Sequence, residues 1–305
     1  LYREQRFDMV HLHFPDPMSH LAAAALPADV KLVISWHSDI IRQQRLLKLY
    51  RPFLDRIVAR ADAIVGATPL HFSSSTQLGA CRDSRRLHVV PYGLDFAPFE
   101  DPRAAAAGAE LKRKLGRRYV IFAIGRHVYY KGFEFLVRAM SAVRDDAVLV
   151  LGGTGPLSGP LQDLAATLGL GERVIFTGRI AEEALPAYYH AADAFCLPSV
   201  EPSEAFGLVQ VEAMACRKPV ISCELGNAVS YVNQNGVTGL VVPPRDPRAL
   251  AAALNRLLED ETLRNKMGEA GYARVKREFT LENTWNGTLR VYREIACGWK
   301  LSRVA

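Results

Sequence analysis

Short runs of apolar residues recur along the chain, and the segments between them carry apolar residues at helical spacing. An apolar run bounded by turn residues predicts a buried strand, whereas apolar positions recurring every helical turn predict a helix. The predicted strands are 7–14, 30–37, 62–67, 86–91, 119–125, 147–152, 173–178, 194–198, 219–222 and 239–243. The predicted helices are 19–26, 42–60, 69–78, 131–143, 157–168, 182–191, 207–216 and 246–259, with a further pair between 261 and 298.

The order of these elements predicts the class of fold. Continuous apolar strands that alternate with helices are typical of parallel sheets covered on both faces. Residues 100–118 interrupt this alternation of strands and helices, because they are polar and rich in Ala and Gly. We interpret them as an interdomain link with a helical piece. The prediction is therefore an α/β protein with two doubly wound, Rossmann-like domains, and a ligand in the cleft between them at the carboxyl ends of the strands.

The chain length of 305 residues is comfortable for two domains of this kind. We expect an N-terminal domain at 1–100 and a C-terminal domain at 117–282. Residues 283–305 are expected to pack back on the first domain.

Composition narrows the classes of partner. Hydrophobic residues make up 49% of the chain, and the net charge of +6 favours anionic partners such as nucleic acid, phosphorylated small molecules or anionic lipid. No helix-turn-helix, zinc-finger or RNP-type aromatic motif is present, so nucleic acid is not expected. No apolar run has the length of a membrane span, and the first residues lack the apolar core of a signal peptide, so we expect a cytoplasmic protein.

The cysteines give no sign of disulfides or metal binding. There are five, an odd number, at 81, 196, 216, 223 and 297, and no CxxC occurs. We expect free thiols in a reducing compartment. No Cys or His cluster has the spacing of metal ligands, so no metal site is predicted.

Two cations follow the predicted strand 119–125, in the sequence "GRHVYYKG". Arg126 and Lys131 stand where a strand ends and a helix begins, and cations beside a helix N-terminus suit a diphosphate. The alternative is two surface cations on a loop.

Glycines follow the next strand, in the sequence "GGTGP" at 152–156. Gly153 is the candidate for a close backbone approach to a ligand, since glycine has no side chain in the way. The glycines do not form the GxGxxG fingerprint of dinucleotide sites, and the alternative is a turn that simply ends a strand.

Two glutamates eight positions apart flank the start of the helix predicted at 207–216. Glu204 precedes this helix and Glu212 lies on its second turn, so the carboxylates can stand roughly 10 Å apart. That is too far for a retaining carboxylate pair, which needs about 5 Å, but it suits the two ends of an elongated ligand. A sugar nucleotide has the implied form, with hydroxyls at both ends and charge in the middle. The alternative gives Glu204 a role at the helix N-terminus and leaves Glu212 on the surface.

Taken together, these motifs resemble the family-4 retaining glycosyltransferases, which have the two-domain GT-B architecture. "EAFGLVQVEAMACRKPVIS" resembles the family's E-x7-E motif, and "GRHVYYKG" resembles its Arg/Lys diphosphate motif. "LVLGGTGP", "VIFTGRI", "FCLPSVEPSEAFG" and "GVTGLVVPPRDP" resemble its successive strand ends. "VISWHSDIIRQ" resembles the subgroup that builds bacterial surface polysaccharides.

The resemblance implies roles for single residues. Arg126 and Lys131 would hold the donor diphosphate, and Glu204 would face the donor sugar. The backbone of Phe206, Gly207 and Leu208 would contact sugar and phosphate.

Three further positions match the family's donor site. Glu212 would bind the ribose hydroxyls, and Ile180 would lie by the nucleobase. His37, at the end of an N-domain strand, matches the family's histidine near the donor sugar. Without the resemblance, the sequence predicts that His37 is a strand-end histidine whose hydrogen bonds are made within the fold, and that Trp36 is a core residue.

The implied reaction is transfer of a hexose, with mannose as one candidate, from a GDP- or UDP-linked donor to a hydroxyl of a lipid-linked or oligosaccharide acceptor. The resemblance also implies that the anomeric configuration is retained. The reaction would need no metal ion, since no DxD motif occurs, and no cofactor. The alternatives are a GT-B nucleotide-sugar epimerase and a truncated, non-catalytic donor-binding protein.

The sequence departs from the family pattern in three places. Arg217 stands where the family has Gly, and Tyr92 stands where Asn is commoner. The family's opening strand and glycine-rich loop have no counterpart before residue 7, so the first domain is expected to be incomplete.

The helix predicted at 42–60 has two different halves. Its cations fall on one half: Arg42, Arg45, Lys48, Arg51, Arg56 and Arg60. Its apolar residues fall on the other: Leu46, Leu47, Tyr50, Leu54, Ile57 and Val58. This pattern fits a packed helix with a solvated basic face, or a helix that docks on an anionic membrane. Pro52 is expected to kink or interrupt the helix.

Overall fold

The computed structural model describes residues 7–79, 81 and 83–303, with side chains except those of 44 and 297–303. The strands are β1 (Met9–Phe14), β2 (Lys31–Trp36), β3 (Ala63–Gly66), β4 (Leu87–Val89), β5 (Tyr119–Ile124), β6 (Ala147–Gly152), β7 (Val174–Gly178), β8 (Ala194–Leu197), β9 (Val220–Cys223) and β10 (Gly239–Val242). The helices are α1 (Pro17–Ala24), α2 (Gln44–Arg60), α3 (Leu70–Ser73), α4 (Ala97–Glu100), α5 (Pro102–Leu115), α6 (Phe133–Ala139), α7 (Ser158–Thr167), α8 (Leu185–Ala191), α9 (Leu208–Ala215), α10 (Ala228–Val232), α11 (Pro247–Glu259), α12 (Glu261–Glu278) and α13 (Leu281–Arg303).

The chain forms two compact units. The first comprises the described residues up to Gly93 together with those from Leu281 onward, and the second is Leu94–Thr280. Each unit is built around a parallel sheet, which confirms the predicted fold class.

The sheet of the first unit has four parallel strands in the order β1-β2-β3-β4. One face is packed by α2, whose Leu54 and Ile57 are buried in the same core as Phe14 and Trp36. The rings of Phe14 and Trp36 stack with their centroids 3.8 Å apart, so Trp36 is a core residue. The other face is packed by α13 through Val291, which joins a core with β2 and β3 residues.

The sheet of the second unit has six parallel strands in the order β10-β9-β8-β5-β6-β7. The chain adds β6 and β7 on one side of β5 and then returns to add β8, β9 and β10 on the other side. The direction in which successive strands are added to the sheet therefore reverses between β5 and β8. In open parallel sheets, this switch point is where ligands bind, because the loops on its two sides diverge there.

Residues 100–118, interpreted from sequence as an interdomain link with a helical piece, contain the helix α5 of the second unit. Asp101 caps the helix, and Lys112 forms a salt bridge of 2.7 Å with Asp193, just after α8. Asp193 also accepts a hydrogen bond from the Val120 backbone N–H, so it links α5 to the start of β5.

The predicted strands all form, whereas some helices differ from the prediction. The helix predicted at 69–78 is only the single turn of α3. The short helices α4 and α10 were not predicted, because four or five residues are too few to show a helical period. Pro52 lies inside α2 without interrupting it. Leu46, assigned from sequence to the apolar half of α2, is 65% exposed.

Candidate functional site

A buried ion pair lies at the switch point of the second unit. Lys131 follows β5, Glu204 follows β8, and Lys131 Nζ is 2.5 Å from Glu204 Oε2. Both side chains are about nine-tenths buried, at 12% and 10% exposure. Ser199, which is fully buried, donates its hydroxyl to the same Glu204 oxygen at 2.8 Å. The structure therefore joins two of the residues that the sequence singled out.

The two loops can bring these side chains together because Gly132 lets their backbones touch. Gly132 has φ 65°, and a Cβ placed on it would lie 2.1 Å from the Pro198 carbonyl oxygen. The Val200 backbone N–H also donates to the Tyr130 carbonyl at 2.8 Å. Lys131 is thereby held against the loop that carries Glu204.

Gly153 directly follows β6, which neighbours β5 on the side opposite β8. Its backbone N–H donates to the Gly178 carbonyl at 2.7 Å, and an added Cβ would lie 2.0 Å from the Gly125 carbonyl oxygen. The sequence predicted that Gly153 brings its backbone close to a ligand; in the structure its lack of a side chain lets it approach the backbone of Gly125, directly after β5. Ile180 is half-buried, and its Cδ1 lies over Gly152. Arg126 is exposed, and no salt bridge to it forms within the described residues.

The segment between the two glutamates enters α9. Phe206 is buried against the ring of Phe279, with centroids 5.8 Å apart, and its carbonyl accepts a hydrogen bond from Gln210 Nε2 at 3.1 Å. Gly207 precedes the first helical residue, Leu208, which is 43% exposed. Asn227 donates to the Glu204 carbonyl at 2.7 Å and so fixes the start of this segment.

Glu212 is held by a buried tyrosine. The Tyr189 hydroxyl on α8 donates to Glu212 Oε2 at 2.6 Å. Burial raises the pKa of Glu212, and the Tyr189 hydrogen bond opposes this rise by favouring the carboxylate. A nearby carboxylate, Glu182, adds to the rise.

His37 lies in the first unit, directly after β2, in a row of aromatic polar side chains. Its Nε2 is 2.8 Å from His13 Nδ1, and its Nδ1 is hydrogen-bonded to the Tyr92 hydroxyl. The rings of His13 and His37 are parallel, with centroids 5.1 Å apart, and His11 continues the row at 5.2 Å. Both ring nitrogens of His37 are thus held by its own unit.

Three histidines at this end of the first unit favour the neutral form: His11 and His37 in the row, and His71, whose ring lies edge-on to Tyr92. Burial, and then the proximity of His13, lower the pKa of His37. Burial is the main cause that lowers the pKa values of His11 and His71 to about 4. At neutral pH these imidazoles act as hydrogen-bonding groups rather than as cations.

Several residues in these clusters were not identified from sequence. Ser199 follows the strand motif "FCLP" directly, and a polar residue at a strand end could have marked it. Tyr189 in "PAYYHAADAF" reads as a core aromatic, and nothing in the sequence indicates its hydroxyl partner. Asn227 reads only as a helix cap, and it does cap α10.

Two of the three departures from the family pattern, Arg217 and Tyr92, have structural correlates. Arg217 has φ 57°, in the left-handed region that favours glycine, and its guanidinium lies 3.7 Å from the Tyr272 ring centroid while pairing with Glu269. Tyr92 is the residue that binds His37.

The described part of the chain bears on three further predictions. Cys81, Cys196, Cys216 and Cys223 are free thiols, and the side chain of Cys297 lies outside the described residues. Among the described side chains, no group of three or more His, Cys, Asp or Glu is arranged to hold a metal ion. No described helix has both the length and the apolar character to cross a membrane.

Solved structures place the fold in the GT-B class. The chain superposes on sucrose-phosphate synthase from Thermosynechococcus elongatus with a TM-score of 0.83 and 26% identity, covering 97% of this chain and 76% of that one. It superposes on Anabaena Alr3699/HepE, solved in complex with UDP, with a TM-score of 0.81 and 21% identity, covering 95% and 79%.

Sequence comparisons identify the family. The family described as glycosyl transferases group 1 matches residues 109–274, and glycosyltransferase family 4 matches residues 1–97. The D-rhamnosyltransferase WbpZ of Pseudomonas aeruginosa is 40% identical over 273 residues, which cover 90% of this chain and 70% of that protein. The O-antigen chain mannosyltransferase C of Escherichia coli is 32% identical over 286 residues, which cover 94% and 75%. The chain therefore belongs to the group 1 glycosyl transferases.

Proposed function

We propose that the chain transfers a hexose or 6-deoxyhexose from a nucleoside diphosphate sugar, with retention and without a metal ion, to a hydroxyl of a growing bacterial surface polysaccharide. The relatives named for rhamnosyl and O-antigen mannosyl transfer support the sugar and the acceptor class. The carrying observation is the Lys131–Glu204 pair at the switch point, with Glu212 on the helix that follows.

The chemistry of these groups fits the reaction. The bond from the anomeric carbon to the diphosphate breaks, a bond to the acceptor oxygen forms on the same face, and the acceptor proton passes to the leaving phosphate. Lys131 has three N–H donors, so it can hold Glu204 and still stabilise the charge that grows on the diphosphate. Glu204 lies beside that cation, where its carboxylate can face the positive charge that develops on the sugar.

The first prediction is that the protein binds GDP or UDP without a divalent metal. Arg126 and Lys131 supply positive charge beside helix N-termini, which is what a diphosphate needs. Titration calorimetry with each nucleotide in EDTA should give saturable binding by one of them, and NMR of the product should show retained anomeric configuration. A strict need for Mg²⁺ or Mn²⁺, an inverted product or an epimerised donor would contradict the proposal.

We further propose that the first unit docks on anionic lipid through α2 and α1. Arg45 and Lys48 are exposed on α2, beside Leu46 and Leu49, which are 65% and 83% exposed. Cations next to projecting leucines suit a lipid surface better than cations alone, because the leucines can enter the headgroup region.

The helix α1 extends this surface. Met18 and Leu21 on α1 are 73% and 53% exposed. The two helices are joined where His20 of α1 is hydrogen-bonded to Tyr50 of α2. Leu46 lies one turn before Tyr50, on the side of α2 that contacts α1.

The second prediction concerns this surface. Arg45→Glu with Lys48→Glu should strongly reduce co-sedimentation with phosphatidylglycerol-containing vesicles at low salt, because each cation contributes about 1 kcal/mol near an anionic surface. The matched control is Arg138→Glu with Lys266→Glu, which reverses two exposed cations of the second unit. Equal vesicle binding by both double variants would show that only net charge matters and would contradict the proposed surface.

A further inference from the structure

The hydroxyl of Tyr189 is not needed to fill the aromatic cluster in which its ring lies. Tyr189 is fully buried, and its ring is enclosed by Phe99, Phe122 and Phe195 at centroid distances of 5.9, 5.1 and 5.4 Å. Phenylalanine would fill the same space in this aromatic cluster. The hydroxyl is instead directed at Glu212 Oε2, at 2.6 Å.

The tyrosine binds one oxygen of the Glu212 carboxylate and not the other. Within the described residues, Glu212 Oε2 accepts the Tyr189 hydroxyl and Oε1 accepts no hydrogen bond. Because the tyrosine ring is enclosed on several sides, its hydroxyl is a fixed donor, and the carboxylate bound to it loses rotational freedom. A side chain fixed in this way meets a ligand with less loss of entropy than a mobile one.

We infer that Tyr189 is a positioning residue for the donor nucleotide: it anchors Glu212 Oε2 so that Oε1 accepts hydrogen bonds from the ribose hydroxyls. This inference rests on the proposed function, with Glu212 as the ribose contact that the family resemblance implies, and what it adds is the role of Tyr189. The site should favour ribonucleotide donors over analogues that lack the ribose hydroxyls, since a carboxylate desolvated without its partners is costly.

The effect of Tyr189 on charge supports the same role. The hydrogen bond from Tyr189 lowers the pKa of Glu212 against the effects of burial and of Glu182. An ionised carboxylate is an acceptor on both oxygens, and its hydrogen bonds to hydroxyls are stronger than those of a neutral acid.

The test compares two ligands in four proteins. Calorimetry measures the affinity of GDP or UDP, whichever the wild-type protein binds, and of its 2′,3′-dideoxy analogue. Tyr189→Phe should weaken binding of the ribonucleotide about 5- to 10-fold and leave the analogue within about twofold, because only the ribonucleotide uses the positioned oxygen. Glu212→Ala should bind both ligands equally, because the carboxylate that distinguishes them is gone.

The matched control is Tyr188→Phe, which removes a hydroxyl one residue away on the same helix. Tyr188 stacks on Phe122 and makes no hydrogen bond to Glu212, so its loss should leave both affinities unchanged. An equal loss for both ligands in Tyr189→Phe, or no loss for either, would overturn the inference while leaving wild-type donor binding intact. If the wild-type protein binds neither nucleotide, the proposed function and this inference both fail.

Discussion

Lys131→Ala is expected to lower kcat/KM for the nucleotide-sugar donor about 10³-fold, equivalent to about 4 kcal/mol. The ammonium group is about nine-tenths buried, so its interaction with a diphosphate would be poorly screened by water. Binding and turnover should both suffer, because the diphosphate is charged in the ground state and gains charge as it leaves. The measurement is donor affinity by calorimetry alongside kcat and KM.

Two further variants define the origin of this loss. Lys266→Ala removes an exposed lysine of the same unit and should leave all three constants unchanged. Glu204→Gln keeps an acceptor for Ser199 but removes the negative charge, and it should lower turnover more than donor affinity. Wild-type affinity and turnover in Lys131→Ala would mean that the ion pair is structural and that the diphosphate lies elsewhere.

The strands and the candidate site residues that follow them were predictable because each leaves a local trace. A buried parallel strand is an unbroken apolar run, and the residue after it lies at the carboxyl edge of the sheet, where ligands bind. For this reason the sequence alone was enough to single out the cations after β5 and the glutamates around α9.

The supporting residues leave no such trace. Tyr189 and Glu212 are 23 positions apart and meet only because α8 and α9 pack side by side. A tyrosine in an apolar stretch is predicted to be core, which its ring is, and only the packing shows where the hydroxyl points. The same holds for His13, which is an ordinary strand residue in sequence and a neighbour of His37 in the sheet.

Gly132 is a backbone example of a contact that cannot be predicted from the sequence. The sequence placed it in the motif "GRHVYYKG", but its function depends on the Pro198 carbonyl, which lies 66 positions later. Its φ of 65° alone would identify a turn glycine. The approach of Pro198 makes it the contact between the two loops that carry Lys131 and Glu204.

Gly132→Ala should therefore reduce the free energy of unfolding of the second unit by about 2–4 kcal/mol and also impair donor binding. The left-handed backbone costs an alanine about 1 kcal/mol, and the clash with Pro198 adds an overpacking cost of about 1–3 kcal/mol. Gly116→Ala separates the two terms, because Gly116 has φ 63° but nothing within 4 Å of an added Cβ. It should cost only about 1 kcal/mol and leave donor affinity unchanged. Denaturant unfolding and calorimetry on both variants measure the difference. Equal destabilisation by the two would mean that the loops can separate freely, and that the close approach at Gly132 does not hold Lys131 against Glu204.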